Sequence, residues 1–183
     1  MAAEQALTGL LIYVLFPLWL LAGGVDWLCH RVSQIESTSG TRESWQHLLM
    51  FGEVAAGVAI GLWLEINALA LLLLFGLFLL HQLTSFWDTH YSGPRRHIGA
   101  LEQQAHSFLE LVPLMAIIAA ALLHGELLAR LLALAPVTED FHWRWREPAI
   151  PGAYQLAVGA GLVLALALIL EELRRGQQSS APL

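Results

Sequence analysis

ESWQHLLMFGEVAAGVAIGLWLEINALALLLLFGLFLLHQLTSFWDTH, residues 43–90, holds two long apolar runs, 48–64 and 68–87, with only Glu65, Ile66 and Asn67 between them. An α-helix needs about 20 apolar residues to cross roughly 30 Å of hydrocarbon, so this stretch reads as a tight antiparallel hairpin of two membrane-spanning helices. Working outward, the runs 7–28, 108–123 and 154–170 complete a set of five spans. The second and fourth look short only because their first turns are polar; as helices they begin near Glu43 and Glu102. Ala22-Gly23-Gly24 after the first run imitates a secretory cleavage site, but Met-Ala-Ala-Glu-Gln supplies no basic charge ahead of it, so the run reads as a true span.

The composition agrees. Of 183 residues, 57% are apolar and 13% charged, with mean hydropathy +0.60, far from a water-soluble chain. The single Cys29 excludes an internal disulfide and every thiolate-rich zinc or iron–sulfur scheme, so any metal must use nitrogen and oxygen ligands. Fifteen acids face nine bases, all nine of them Arg, which removes lysine Schiff-base chemistry and argues against nucleic acid as a partner. The expected architecture is therefore all-α and integral to a membrane: one domain over 1–176, with halves at about 7–64 and 68–124, a fifth span at 154–173, and a disordered polar tail at 177–183. Arg31, Arg42, Arg95, Arg96, Arg174 and Arg175 fall on one side of five spans, and Arg130, Arg144 and Arg146 on the other. The positive-inside rule then places the N-terminus outside and the C-terminus in the cytoplasm of a bacterial inner membrane. Phe141-His142-Trp143-Arg144-Trp145-Arg146, followed by Pro148, Pro151 and Gly152, reads as an outer loop at headgroup level.

The acids and histidines collect at the cytoplasmic ends of the first four spans. Span one ends Asp26-Trp27-Leu28-Cys29-His30 and span two opens Glu43-Ser44-Trp45-Gln46-His47; span three ends Trp87-Asp88-Thr89-His90 and span four opens Glu102-Gln103-Gln104-Ala105-His106. The two ExxxH units are 59 residues apart and the two aspartates 62, so helix–loop–helix recurs in the same orientation. A parallel repeat implies a pseudo-twofold axis along the membrane normal. Residues i and i+4 share a helix face, so Glu43 with His47, Glu102 with His106, and Asp26 with His30 each present an oxygen and a nitrogen together.

A charge at a helix end is ordinarily solvated. His81, Glu53 and Glu110, however, lie inside apolar runs, where an unpaired charge costs on the order of 3 kcal/mol. So many carboxylates packed together call for a cation, and two divalent ions are expected. Glu43, His47, Glu102 and His106 form the expected core, and Asp26, His30 and Asp88 complete two metal shells. His81, Glu53 and Glu110 are deeper ligands or orienting groups, with Glu53 and Glu110 as candidate general bases. His90, His97 and Glu36 are lesser options. The spans carrying these ligands make a four-helix metal-binding bundle, similar in architecture to di-iron carboxylate proteins, and the donor set suits iron, with manganese and zinc as alternatives. Gly52, Gly57 and Gly61, with Ala56, read as small residues that let span two approach its neighbours. Ser44 and Ser107 show no triad order, and His124 and His142 face the other side.

CHRVSQIESTSGTRESWQHLLMFGE, EINAL, HQLTSFWDTHY, RRHIGALEQQAHSFLELVPL and EELRR together resemble an uncharacterised family of bacterial multi-pass membrane proteins with the patterns IExTxGxxExxxH and RRxxxxxEQxxHSFLE. The resemblance covers about residues 25–114 and 171–175. It implies the same fold and site but no reaction, and it brings Glu171 and Glu172 near that site, paired with Arg95 or Arg96. Arg96 joins Glu53 and Glu110 in the expected catalytic set. The expected function is that of a membrane-embedded binuclear metalloenzyme, a di-iron oxidoreductase acting on a hydrophobic or lipid-soluble substrate. With no GxGxxG or P-loop, its electrons come from a separate donor or from the substrate. The alternative is a zinc-dependent intramembrane hydrolase of the lipid amidase or esterase type. Haem ligation by His47 and His106 fits poorly beside carboxylates, and transport lacks a polar path beyond His81.

Overall fold

The apolar runs form five helices long enough to cross a membrane: Ala2–Ser33, Thr41–Trp63, Ala68–Ser92, Ala100–Leu123 and Gly152–Ser179. The computed structural model describes residues 2–138, 141–147 and 150–179. Pro148 and residues 180–183 of the expected tail lie outside them, whereas residues 177–179 complete the last helix.

The first span consists of α1 (Ala2–Leu10) and α2 (Phe16–Ser33), joined by a π-helical turn at Leu11–Leu15. Pro17 explains the turn, since its ring cannot donate to the carbonyl four residues back and crowds it, and a widened turn absorbs the mismatch. α3 (Thr41–Trp63) and α4 (Ala68–Ser92) form the expected hairpin. The Asn67 side chain caps α4 by accepting from the Ala70 amide at 3.0 Å. α5 (Ala100–Leu123) is followed by short α6 (Gly125–Leu132) and by α7 (Gly152–Ser179). Between α2 and α3 the chain turns through Gln34, in the left-handed region, and Gly40, at φ 68°, the one glycine among the described residues with positive φ.

α2 packs against α5, α3 against α4, and α4 against α5. Exchanging the two halves turns the α2–α5 contact into the α4–α3 contact, as a pseudo-twofold axis requires. The fifth span departs from the expected four-helix arrangement, because α7 packs against both α2 and α3. Glycines permit this approach. A Cβ on Gly161 would lie 2.7 Å from Leu20 Cδ1, and one on Gly176 would lie 3.1 Å from the Thr41 backbone. Close backbone approach is how helices pack when lipid tails are as apolar as leucine. Of the glycines expected to do this on α3, Gly57 meets another helix, at Leu74, whereas Gly52 and Gly61 have open space.

Trp19 stacks between Phe16 and Phe51 at 6.3 and 6.4 Å, inside a core with Leu15 and Val112. Leu83, Phe86, Leu111, Leu156 and Val163 point outward from the spans, the apolar surface that a bilayer covers. At the end opposite the acid-rich one, the 141–147 loop is fastened to the α3–α4 hairpin. Glu65 N–H donates to Arg144 O at 3.0 Å, Arg146 N–H to Trp63 O at 2.8 Å, and Asn67 Nδ2 to His142 O at 2.8 Å. Phe141, Trp143 and Trp145 remain exposed, as an interfacial aromatic belt would be.

Candidate metal centre

Asp26 and His30 end α2, Glu43 and His47 open α3, Asp88 ends α4, and Glu102 and His106 open α5. The i, i+4 spacing turns each pair inward, and all but His106 are buried. Two groups of ligand atoms lie close enough to hold a metal ion: Asp26, His30, Glu102 and His106 in one, and His30, Glu43 and His47 in the other. His30 belongs to both.

The contacts cross between the halves. His106 Nε2 lies 2.9 Å from Asp26 Oδ1, and its counterpart His47 Nε2 lies 3.7 Å from Asp88 Oδ1. Each aspartate thus faces the histidine of the other repeat, as the twofold demands. The symmetry breaks at His30. The residue 62 positions later is Ser92, whose buried hydroxyl turns back to the Asp88 carbonyl at 3.0 Å. One imidazole therefore serves both sides, with Nε2 3.1 Å from Glu102 Oε1 and 3.5 Å from Asp26 Oδ1.

Glu172, on α7, orients the centre. Its Oε2 lies 3.0 Å from His30 Nδ1 and its Oε1 2.8 Å from His47 Nδ1. The two rings stack at 4.5 Å with 8° between their planes, a placement that two imidazolium cations would resist. As neutral rings protonated at Nδ1, each would donate to Glu172 and turn its Nε2 lone pair toward the carboxylates. This is the carboxylate–histidine arrangement that supports metal-binding imidazoles. Asp26 Oδ1, His30 Nε2, His47 Nε2 and Asp88 Oδ1 are buried and make no hydrogen bond among the described residues. Buried polar atoms are almost always satisfied, so four that converge without hydrogen-bond geometry are fit to share a cation. With neutral imidazoles, the carboxylates of Asp26, Glu43, Asp88, Glu102 and Glu172 face one guanidinium, leaving four negative charges that two divalent ions would match.

That guanidinium is Arg96, in the loop before α5. It pairs with Glu102 at 2.5 Å and closely with Glu43, to which its Nε also donates at 3.0 Å. Burial disfavours its charge, but the hydrogen bonds to Glu43 and Glu102 outweigh burial and raise its pKa. Arg96, expected in the catalytic set, thus sits as the internal counter-ion on the axis between the two ExxxH glutamates. Arg42 and Arg95 lie over the Tyr91 ring at 4.4 and 3.9 Å instead. The expected pairing of Glu171 and Glu172 with Arg95 or Arg96 does not form. Glu171 bonds Arg31 at 2.5 Å and Arg175 at 3.1 Å, and Glu172 turns inward to the histidines, because successive helical residues point about 100° apart.

His81, Glu53 and Glu110 stand apart from both metal-capable groups. His81 Nδ1 lies 3.3 Å from Glu53 Oε2, and Ser85 donates to Glu110 at 2.6 Å. His81 is seven residues, about 10 Å of helix, from Asp88. Among the described residues it joins Glu53 rather than the metal shell. A cavity of about 220 Å³ connects the two levels, lined by His30, His47, Asp88, His106 and Glu172 at one end, by His81 and Glu110 at the other, and by apolar side chains such as Met50 and Leu168.

Comparison with models of known protein families, with curated proteins and with solved structures finds no match for this chain.

Glutamine at position 172 tests the orienting role. An amide oxygen accepts from one imidazole, but the NH₂ opposes the other Nδ1–H. E172Q is expected to weaken metal binding about 10- to 100-fold while the fold persists, as loss of such supporting carboxylates does. Metal titration monitored by tryptophan emission, with Trp27 beside the site, measures it.

Proposed function

We propose that the chain is a membrane-embedded metalloenzyme whose centre holds two divalent ions, iron foremost, and that it acts as an oxidoreductase on a hydrophobic or lipid-soluble molecule. The observation that carries this reading is the convergence of four buried ligand atoms that make no hydrogen bond among the described residues, on two imidazoles held by one carboxylate. Asp26, His30, Glu102 and His106 would hold one ion, and Glu43, His47 and Asp88 the other. Bound iron would supply electron transfer, and the mixed imidazole and carboxylate donors suit it. The chain's own residues keep the site dry, cancel part of its charge through Arg96, and line the adjoining apolar cavity where a lipid-soluble substrate would sit. In this reading the centre lies at the cytoplasmic side of a bacterial inner membrane, with the N-terminus outside.

Elemental analysis of protein purified in mild detergent tests the proposal. About two irons per chain are expected. Stoichiometric zinc without iron would replace the redox reading with that of a hydrolase, in which bound zinc would supply an activated water. Protein that neither carries nor takes up metal would remove both readings.

A further inference from the structure

Glu53 on α3 and His81 on α4 are both more than nine-tenths buried in mid-span. Thr84 donates to Glu53 Oε1 at 2.8 Å and fixes the carboxylate, turning Oε2 toward His81 Nδ1. Neither Oε2 nor Nδ1 makes a hydrogen bond among the described residues. Both residues line the inner end of a second cavity, of about 300 Å³, which extends toward the end of the bundle opposite the metal centre. Its walls are apolar, with Trp19, Gly57, Leu74, Val112 and Val158 among them. Arg146, also lining it, donates to the Gly61 carbonyl at 2.9 Å. His81 and Trp19 line the metal centre's cavity as well, so they stand between the two chambers.

A buried acid–base pair at the end of an apolar chamber selects its ligand. A fatty acid or phospholipid would bring an anion against Glu53, or, if reversed, lay a methyl terminus on two unsatisfied polar atoms. A hydroquinone hydroxyl can donate to the imidazole or the carboxylate, and a quinone carbonyl can accept from the same pair once it is protonated. A ligand that alternates between O–H and C=O matches a pair that alternates between acceptor and donor. The rest of such a molecule, ring and isoprenoid chain, is apolar like the walls.

We propose that this second cavity binds the headgroup of a membrane quinone or quinol against Glu53 and His81. The site itself stands on the cavity alone. Its role as the source of reducing equivalents rests on the iron reading above and would supply the lipid-soluble donor which that reading requires, about 10 Å along α4 from Asp88.

The test is titration of the purified full chain with a short-chain benzoquinone or naphthoquinone, following tryptophan quenching, with Trp19→Phe to assign the signal. Saturable quenching that largely disappears in W19F is expected. Glu53→Gln and His81→Leu should each weaken it about tenfold, the effect of one lost hydrogen bond to a charged or buried partner, without changing metal content. Gly57→Leu, which projects a side chain into the chamber and leaves the polar pair intact, should block binding even if His81→Leu fails to fold. Quenching that only follows partition into detergent, equal affinity in G57L, or displacement by palmitate of a signal that quinones do not compete for would overturn the proposal. Quinone binding by a chain without metal would sink the metal reading alone, and metal without quinone binding would sink this one alone.

Discussion

Alanine in place of His30 is expected to cost one metal ion and to weaken binding of the other. Its imidazole lies within reach of both ligand groups and is 1% exposed, at the centre of the cluster. The substitution also strips Glu172 of one of its two Nδ1–H donors and leaves His47 without its stacking partner. His106 belongs to one group only, and His106→Ala should cost one ion and leave the second at its parental affinity. Metal titration of the two variants beside the parent therefore separates them: about two ions in the parent and about one in each variant, held more weakly in H30A than in H106A. Two retained in either variant would remove that residue from the ligand set.

Removing the charge of Arg96 should have the largest effect on stability. Its guanidinium pairs with Glu43, which is fully buried, and with Glu102, 3% exposed. Arg96→Met keeps much of the volume and leaves two carboxylates in a dry interior with no fixed cation. Breaking a buried ion pair by removing one partner costs about 3–5 kcal/mol, and unfolding of the metal-free protein in mixed micelles should show a loss of that size. Arg96→Lys should recover only part of it, since an ammonium cannot reproduce the planar fork that reaches both glutamates. Added divalent metal should reduce the deficit in R96M by supplying the missing positive charge. A change below about 1 kcal/mol would mean that water reaches these carboxylates, and the argument for a cation-demanding core would weaken with it.

Part of this centre was open to inference from spacing. Glu43 with His47 and Glu102 with His106 are four residues apart on helices whose remaining faces are apolar, so their direction follows from helical geometry alone. Their recurrence at an interval of 59 residues is enough to predict that two halves meet. The same periodicity misplaced His81. It shares a face with Asp88, but shared direction says nothing of depth, and about 10 Å along α4 separates it from the cluster. Arg96 was chemically conspicuous yet ambiguous, since nothing in RRHIG distinguishes a guanidinium that enters the core from the neighbouring Arg95, which lies on Tyr91. Glu172 was harder still. Glu171-Glu172 marks a helix end in the sequence, and which of the two turns inward depends on how Gly161 and Gly176 seat α7 against Leu20 and Thr41.

Composition and apolar run length alone determined that the chain is helical with five potential spans, because hydrocarbon admits only helices and closed β-barrels, and unbroken apolar runs of about 20 residues fit the helix. Repetition of ExxxH likewise determined that acids and imidazoles gather at one end of the bundle. Only the tertiary structure decided that each aspartate faces the other half's histidine, that His30 serves both sides while Ser92 stands at its counterpart, and that α7 delivers the carboxylate orienting both rings. These are contacts between residues as much as 142 positions apart. Local periodicity fixes the direction of a side chain about its own helix axis, whereas the partner it meets is set by how separate helices pack.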